Sequence, residues 1–515
     1  MKTTTSDPHA QVKRFSDYSG DIKEKCDFLV VGSGPAGSVA FYELAKAGFD
    51  VVLLEEGSPV VPKDFTTEAT RTMRNLLREA GMRAALGNVA MPTMQPICLG
   101  GGSLVNSAIC IRAPGFVFDQ WKNQHGIDWI SSEALEPHFK KIWDYWPIRP
   151  SPTEILGRRN LLFKEGCDSL GIESHPTDRN VVDCRGCSEC FTGCPAGAKR
   201  STDLTFIPDA IAAGARVYSN MRAEELIVEG KRVAGMRARA VDHLTKRKGP
   251  TLDIRARCTV LAAGVIGTPT ILQKNDNAAN SSGMVGKNLI FHPGGAIMGI
   301  FDEVVNPWEG ATQGYCSIEH IEKGYKLESL WSPPAVLAVR FPGFGHEFKS
   351  YIARYKHMAP FDVIVQGTST GEVRARKKGW DPVLKFNLSQ RDTDLLKKGM
   401  GALADLFEAA GAHSLLHGLY KLGDNVIKAN GSGDRIRSMK LKPTDIITAA
   451  NHVFGTTMMG ADPATSVIDP DGKTHDLDDL YIVDTGIMPT CTAVNPMFTV
   501  MALSDRISLK LKERY

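Results

Sequence analysis

Two groups of residues in this 515-residue chain have the types and spacing to do chemistry. The first is Gly32-Ser33-Gly34-Pro35-Ala36-Gly37, set between an apolar run, Phe28 to Val31, and a helical pattern from Ser38 to Ala47. A second apolar run follows Gly48 and ends at Glu55. In a strand-turn-helix-strand unit of this kind Gly32 permits the tight turn, Gly34 lets backbone approach a pyrophosphate, and Gly37 lets the helix lie close on the strand. The helix N-terminus then faces the phosphates, and Glu55, about twenty residues past the glycines, stands where a carboxylate accepts hydrogen bonds from a ribose diol. The bland alternative is a flexible glycine loop; the flanking strands, the helix and the acid favour dinucleotide binding.

The second group is Cys184, Cys187, Cys190 and Cys194, spaced C-x2-C-x2-C-x3-C-P. That is the run of a bacterial ferredoxin, in which the last cysteine serves a second cluster. Here no second triplet exists, because Cys26, Cys98, Cys110, Cys167, Cys258, Cys316 and Cys491 are scattered. At most one iron-sulfur cluster, 3Fe-4S or 4Fe-4S, is expected. The same thiolates suit a tetrahedral zinc ion, and free thiols or local disulfides are the remaining readings.

The elements that must position these groups are readable in part. Residues 99 to 114, LGGGSLVNSAICIRAP, form a second glycine-rich turn, in which Gly102, Ser103 and Asn106 are candidates to approach a ligand. A helical pattern is expected from Thr67 to Leu86, and another after Ser131-Ser132, with Trp121, Trp129, Trp143 and Trp146 as packing residues. From Ala215 to Ala240 the pattern predicts short strands turning at Gly230-Lys231, followed by a strand CTVLAAG and a helix after Thr268-Pro269. From about Asn288 to Lys440 strand-like segments such as AVLAVRF and FDVIVQG mark a second, sheet-based unit.

The net charge of +3 gives no electrostatic case for nucleic acid or an anionic membrane. No window approaches eighteen consecutive apolar residues, so no spanning helix is expected. The first twenty residues are polar, without an apolar core or twin arginines, which predicts a cytoplasmic location. Eleven cysteines, an odd number, argue against a disulfide framework.

The last sixty or so residues, from NHVFGTTMMG through YIVDTGIMP to TAVNPMFTV, together with GSGPAG, GGGSLVN and AAGVIGTP, resemble the glucose-methanol-choline (GMC) oxidoreductases, flavoenzymes that oxidise alcohols. The resemblance implies an α/β fold: a Rossmann-like FAD-binding domain with an inserted α+β substrate domain on an antiparallel sheet. The expected division is 25–115, 200–290 and 450–515 for the FAD-binding domain, 116–199 for a cysteine-rich connecting segment, and 291–449 for the substrate domain. It also implies that His452 is the catalytic histidine, that Asn495 occupies the second active-site position, and that Asp484 and Thr485 contact flavin. The cysteine run is similar to that of iron-sulfur-containing sugar dehydrogenases, and the stretch after it to long-chain alcohol oxidases.

The residue chemistry agrees with those roles. Histidine titrates where a base for an alcohol proton is useful, and a side-chain amide holds an alkoxide oxygen without acting as a base. His292 and His475 are read as structural. The leading expectation is FAD-dependent oxidation of a small-molecule alcohol, with electrons passed to an acceptor protein or small subunit, through the cluster if one is present. Alternatives are a peroxide-producing oxidase of sterols or long-chain alcohols, and a non-catalytic flavin-bearing or zinc-stabilised subunit.

Overall fold

The computed structural model describes residues 7–330, 333–334 and 341–515. The chain begins its first sheet with β1 (Ile22–Val31), whose last four residues, Phe28 to Val31, are all buried, as a central parallel strand covered on both faces must be. Gly34 and Pro35 start α1 (Pro35–Lys46), with proline at the first helical position, where its missing N–H leaves no bond unmade. The chain returns through β2 (Val51–Leu54), parallel to β1 with Val31 opposite Leu54.

Five further strands complete this sheet. Arg216–Tyr218 lies outside β2, and β3 (Lys248–Leu261) lies parallel on the other side of β1. An antiparallel hairpin, Met221–Glu229 and Arg232–Val241, extends beyond β3. Leu480–Ile482, from the far end of the sequence, pairs parallel with β3. Helix α2 (Gly264–Lys274) follows β3 and starts four residues earlier than Thr268, accommodating Pro269 within its first two turns.

The second unit is built on an antiparallel sheet whose centre is β4 (Gly294–Ile300), β5 (Tyr325–Ser329) and β6 (Met358–Val365), with β6 in the middle. A mainly antiparallel six-stranded sheet lies alongside it. Alternation gives the central sheet two different faces. Ile297, Leu327, Phe361 and Val363 point to the rear, where α3 (Gln390–Ala409) presents Leu396, Met400, Leu403 and Phe407 in the same buried core. Gly294, Ala296, Met298, Glu328, Asp362 and Ile364 line the cavity on the opposite face. The fold is thus the expected mixture of a parallel-rich nucleotide sheet and an antiparallel substrate sheet.

Several local expectations changed. The pattern from Thr67 to Leu86 is a helix only over Ala69–Leu76; a short turn, Arg78–Gly81, and a strand, Ala84–Leu86, follow. The segment AVLAVRF lies outside the described residues except for its last, Phe341. Trp121 and Trp146 are fully buried in the first core, and Trp129 and Trp143 pack partly exposed against it. Among the described residues no helix is long and apolar enough to cross a membrane.

Candidate active site

The carboxyl ends of four adjacent parallel strands converge on one place, where open α/β sheets hold their ligands. Gly32 follows β1, Glu55 follows β2, Ala262 to Gly264 follow β3, and Asp484 follows Leu480–Ile482. These residues line a cavity of about 530 Å³. The glycines are close-packed on the protein side: a Cβ on Gly37 would lie 2.1 Å from the Gly32 carbonyl oxygen, and one on Gly101 would lie 2.8 Å from the Gly34 Cα. Among the described residues, and their own local backbone aside, Gly34 and Gly102 have no atom within 4 Å of a Cβ position, and both line the cavity. The backbone is therefore bare where a pyrophosphate would approach, and the residues fit a dinucleotide.

The acids flanking this cradle are tied to backbone. Glu55 accepts hydrogen bonds from Ser33 N at 3.0 Å, Ser33 Oγ at 2.6 Å and Gly57 N at 2.7 Å. Burial holds its pKa above the ordinary carboxylate value despite those donors. Asp484 accepts from Gly264 N at 2.9 Å, Thr268 Oγ1 at 2.5 Å and Gly486 N at 2.8 Å, joining the start of α2 to its own turn. Thr485 and Asn106 line the cavity. Ser103 does not: it is buried and donates to the Gly100 carbonyl at 2.6 Å. Sequence reasoning missed the Glu56–Arg78 ion pair, 2.5 Å long, and the Arg222 guanidinium 5.1 Å over the Trp380 ring, all four residues lining the same cavity. Nothing in their local sequence marks them.

At the other end of the cavity the two late motifs meet. His452 Nε2 lies 3.4 Å from Asn495 Nδ2, and His452 Nδ1 lies 3.2 Å from His292 Nδ1. His292, read from sequence as structural, is thus a direct partner of His452 and itself lines the cavity. His475 lies away from it, 2.8 Å from Ser466 Oγ. Desolvation, with the Lys326 charge adding to it, pushes the His452 pKa down to about 3, and His292 is likewise held well below its usual value. Both rings are neutral at pH 7, as a base must be before it takes a proton.

Lys326 and Glu328 form a fully buried ion pair, 2.5 Å long, beside Asn495, and Lys326 Nζ donates to Asn495 Oδ1 at 2.8 Å. Gln313 Nε2 donates to the other Glu328 oxygen at 2.8 Å. This polar group lies on the cavity face of β5 and had no signal in the sequence beyond strand alternation.

The cysteine run lies beside the glycine turn. Cys184, Cys187, Cys190 and Cys194 all line one small cavity, together with Arg179 and Lys199. All eleven cysteines are free, which excludes the disulfide reading for this structure. Among the described residues no set of three or more His, Cys, Asp or Glu side chains is arranged to hold a metal ion, so the iron-sulfur expectation is not established by the geometry. The electrostatics are unusual. Arg159, Arg179 and Lys199 are buried, and none of them makes an ion pair with a carboxylate among the described residues. Arg179 donates to Cys190 Sγ at 3.0 Å, and Lys199 Nζ donates to the carbonyls of Leu104, Asn106 and Cys190 at 2.5, 2.9 and 2.6 Å. Burial lowers Lys199 to about 8. Burial alone would raise Cys190, but Arg179 and Lys199 outweigh it and its thiol is held below the usual value. Buried cations without carboxylates suit thiolate anions as partners.

A cradle of bare backbone leading to a neutral histidine and an amide fits an oxidoreductase that uses a dinucleotide cofactor. The chain belongs to the GMC oxidoreductase family: the family's models match residues 26–294 and residues 367–504. It is accordingly a GMC-type flavin oxidoreductase, using FAD and acting on CH–OH groups. An uncharacterized GMC-type oxidoreductase of Mycobacterium tuberculosis is 32% identical over 508 residues, spanning 96% of this chain and 77% of that one. Long-chain-alcohol oxidase FAO1 of Arabidopsis thaliana is 29% identical over 535 residues, spanning 96% and 68%. Pyridoxine 4-oxidase from Mesorbium loti has the same fold, with a TM-score of 0.73 at 18% identity over 95% of this chain and all of that one.

Proposed function

We propose that this protein is an alcohol dehydrogenase in which His452 takes the hydroxyl proton, Asn495 holds the oxygen, and the electrons leave to an external acceptor. The observation that carries this reading is the placement of His452 and Asn495 at the end of the same cavity that the bare glycine backbone opens. A substrate hydroxyl between them would donate to His452 Nε2 and accept from Asn495 Nδ2. As the C–O bond gains double-bond character the proton passes to Nε2 and the amide stabilises the oxygen. Gly32, Gly34, Gly37, Gly102, Glu55, Asn106, Asp484 and Thr485 would hold FAD, which supplies the hydride acceptor when bound.

Cys184, Cys187, Cys190 and Cys194 would hold an iron-sulfur cluster, whose chemistry is one-electron transfer. Two features support this: the buried cations described above, and Phe191, which sits within the run yet lines the flavin cavity. An acceptor protein or small subunit is then the destination of the electrons. The likeness to a long-chain-alcohol oxidase supports a second reading, in which oxygen is the acceptor and peroxide forms in step with product.

The test uses anaerobically purified protein. Flavin bands accompanied by iron and acid-labile sulfide are expected, with substrate-dependent bleaching that slows by about 10²- to 10⁴-fold in His452→Ala. Near-normal bleaching in that variant would refute the role of His452. Flavin without iron, with stoichiometric peroxide, would move the assignment to the oxidase.

A further inference from the structure

Lys326 and Glu328 stand two residues apart on β5 and so share one face of the sheet, while Tyr325 and Leu327 face the rear core. Both charged side chains are fully buried. A buried ion pair is seldom a net gain over apolar residues of the same size, and its retention calls for another role. Here one partner reaches the active-site amide. Lysine has donors only, so the atom of Asn495 that meets Lys326 Nζ at 2.8 Å has to be the carbonyl oxygen. That contact settles which way the amide faces.

The rest follows from donor and acceptor counting. With its oxygen turned to Lys326, Asn495 presents its NH2 group to His452 Nε2, and a donor there requires the ring nitrogen to be an unprotonated acceptor. Neutral His452 then carries its proton on Nδ1 and donates it to His292 Nδ1. His292 in turn carries its own proton on Nε2, an atom with no hydrogen-bond partner among the described residues. Every hydrogen in the series points the same way, from the lysine ammonium to His292.

We propose that Lys326, held by Glu328, is a positioning residue that fixes the Asn495 amide and through it the His452 tautomer, leaving the Nε2 lone pair aimed at the substrate hydroxyl. The proposal rests on the assignment of His452 as base, and it explains why an asparagine suffices at its neighbouring position. An unanchored amide could turn its oxygen to Nε2, which would favour the tautomer with Nε2 protonated and remove the base. The cation also keeps His452 from charging. Around the ring stand His292 from the start of the substrate unit, Asn495 from the last turn, Lys326 and Glu328 from β5, and Asp362 from β6, which pairs with Glu328 in register. The two carboxylates are the groups that would oppose Lys326, and Glu328 is already engaged by it.

The experiment is ¹⁵N spectroscopy of histidine-labelled, FAD-loaded protein, with His452 and His292 assigned by His→Asn variants. Wild-type protein should show a bare Nε2 and a protonated Nδ1 on His452 across pH 5.5 to 8. The charge-neutral double variant Lys326→Met with Glu328→Gln should show a mixture of tautomers and a growing imidazolium signal as pH falls. Its flavin bleaching should slow about 10-fold or more and acquire an acid limb that wild-type protein lacks, with kcat affected more than KM. A protonated Nε2 on His452 in the wild type overturns the proposal, as does a double variant with unchanged tautomer and pH profile. If the double variant does not fold, a protonated Nε2 in the wild-type spectrum still overturns the proposal, and Glu328→Gln, which frees Lys326 from its carboxylate, carries the same comparison of tautomers. Should no alcohol bleach wild-type flavin, the catalytic assignment fails separately, and the spectrum still reports whether the lysine sets the tautomer.

Discussion

One methyl group at Gly37 would be enough to separate α1 from the end of β1, because its Cβ would stand 2.1 Å from the Gly32 carbonyl oxygen, a backbone atom that cannot swing aside. Gly37→Ala should therefore shift α1, whose first residues line the cavity. Overpacking of this kind costs about 1–3 kcal/mol, and if that strain is relieved by opening the cradle, FAD affinity falls about 10- to 100-fold. The flavin-to-protein ratio after dilution and filtration measures this, and full flavin retention would sink the argument. Gly37 was legible in the sequence because its spacing from Gly32 reports a local close approach. His452 and Asn495 were legible through their motifs. His292 was not, because it stands 160 residues from His452 and only the paired strands Leu289–Phe291 and Val453–Phe454 bring them together. Ser103 was singled out by its place in a glycine-rich turn, and the structure shows its hydroxyl closing that turn internally.

Among the elements, α3 carries the substrate sheet. Its buried side packs on the rear of β4, β5 and β6, and the cavity residues occupy the front, so support lost behind is felt at the site. Leu403→Ala removes a fully buried side chain from this layer and should destabilise the protein by about 2–5 kcal/mol. A urea midpoint moved by less than the equivalent of about 0.5 kcal/mol would mean that the layer is not close-packed there. Central strands were read well from sequence, since a buried parallel strand is a continuous apolar run. The helix expected through Leu86 was read too long. Met73, Leu76, Leu77 and Met82 keep a helical spacing, yet Glu79, Ala80 and Gly81 all take positive φ, and Met82 ends 78% exposed. A pattern of apolar spacing does not report a turn that tertiary packing imposes.

At the scale of the whole molecule, every histidine whose pKa is displaced is displaced downward: His125, His175, His243, His292, His320, His417 and His452. Desolvation is the largest cause in each. These groups bind protons less readily in the folded chain than they do near pH 6.5 once unfolded, so the unfolded state holds more protons in acid. Stability is then fully present above pH 6.5 and is lost as pH falls below it, each deeply buried ring contributing a slope of about 1.4 kcal/mol per pH unit. Melting of FAD-saturated protein should move to lower temperature between pH 6.5 and 5, and an unchanged or rising midpoint would contradict the buried placement of His292 and His452. The sequence by itself determined the nucleotide-binding unit, the identity of the candidate base and amide, and the four thiols, because each is encoded as a local spacing of residue types. Only the tertiary structure decided what surrounds them: the His292 partner, the Lys326–Glu328 pair behind Asn495, and the buried cations around the cysteines. Those contacts join strands and turns far apart in the chain, and burial, which sets their charge states, is a property of the folded molecule alone.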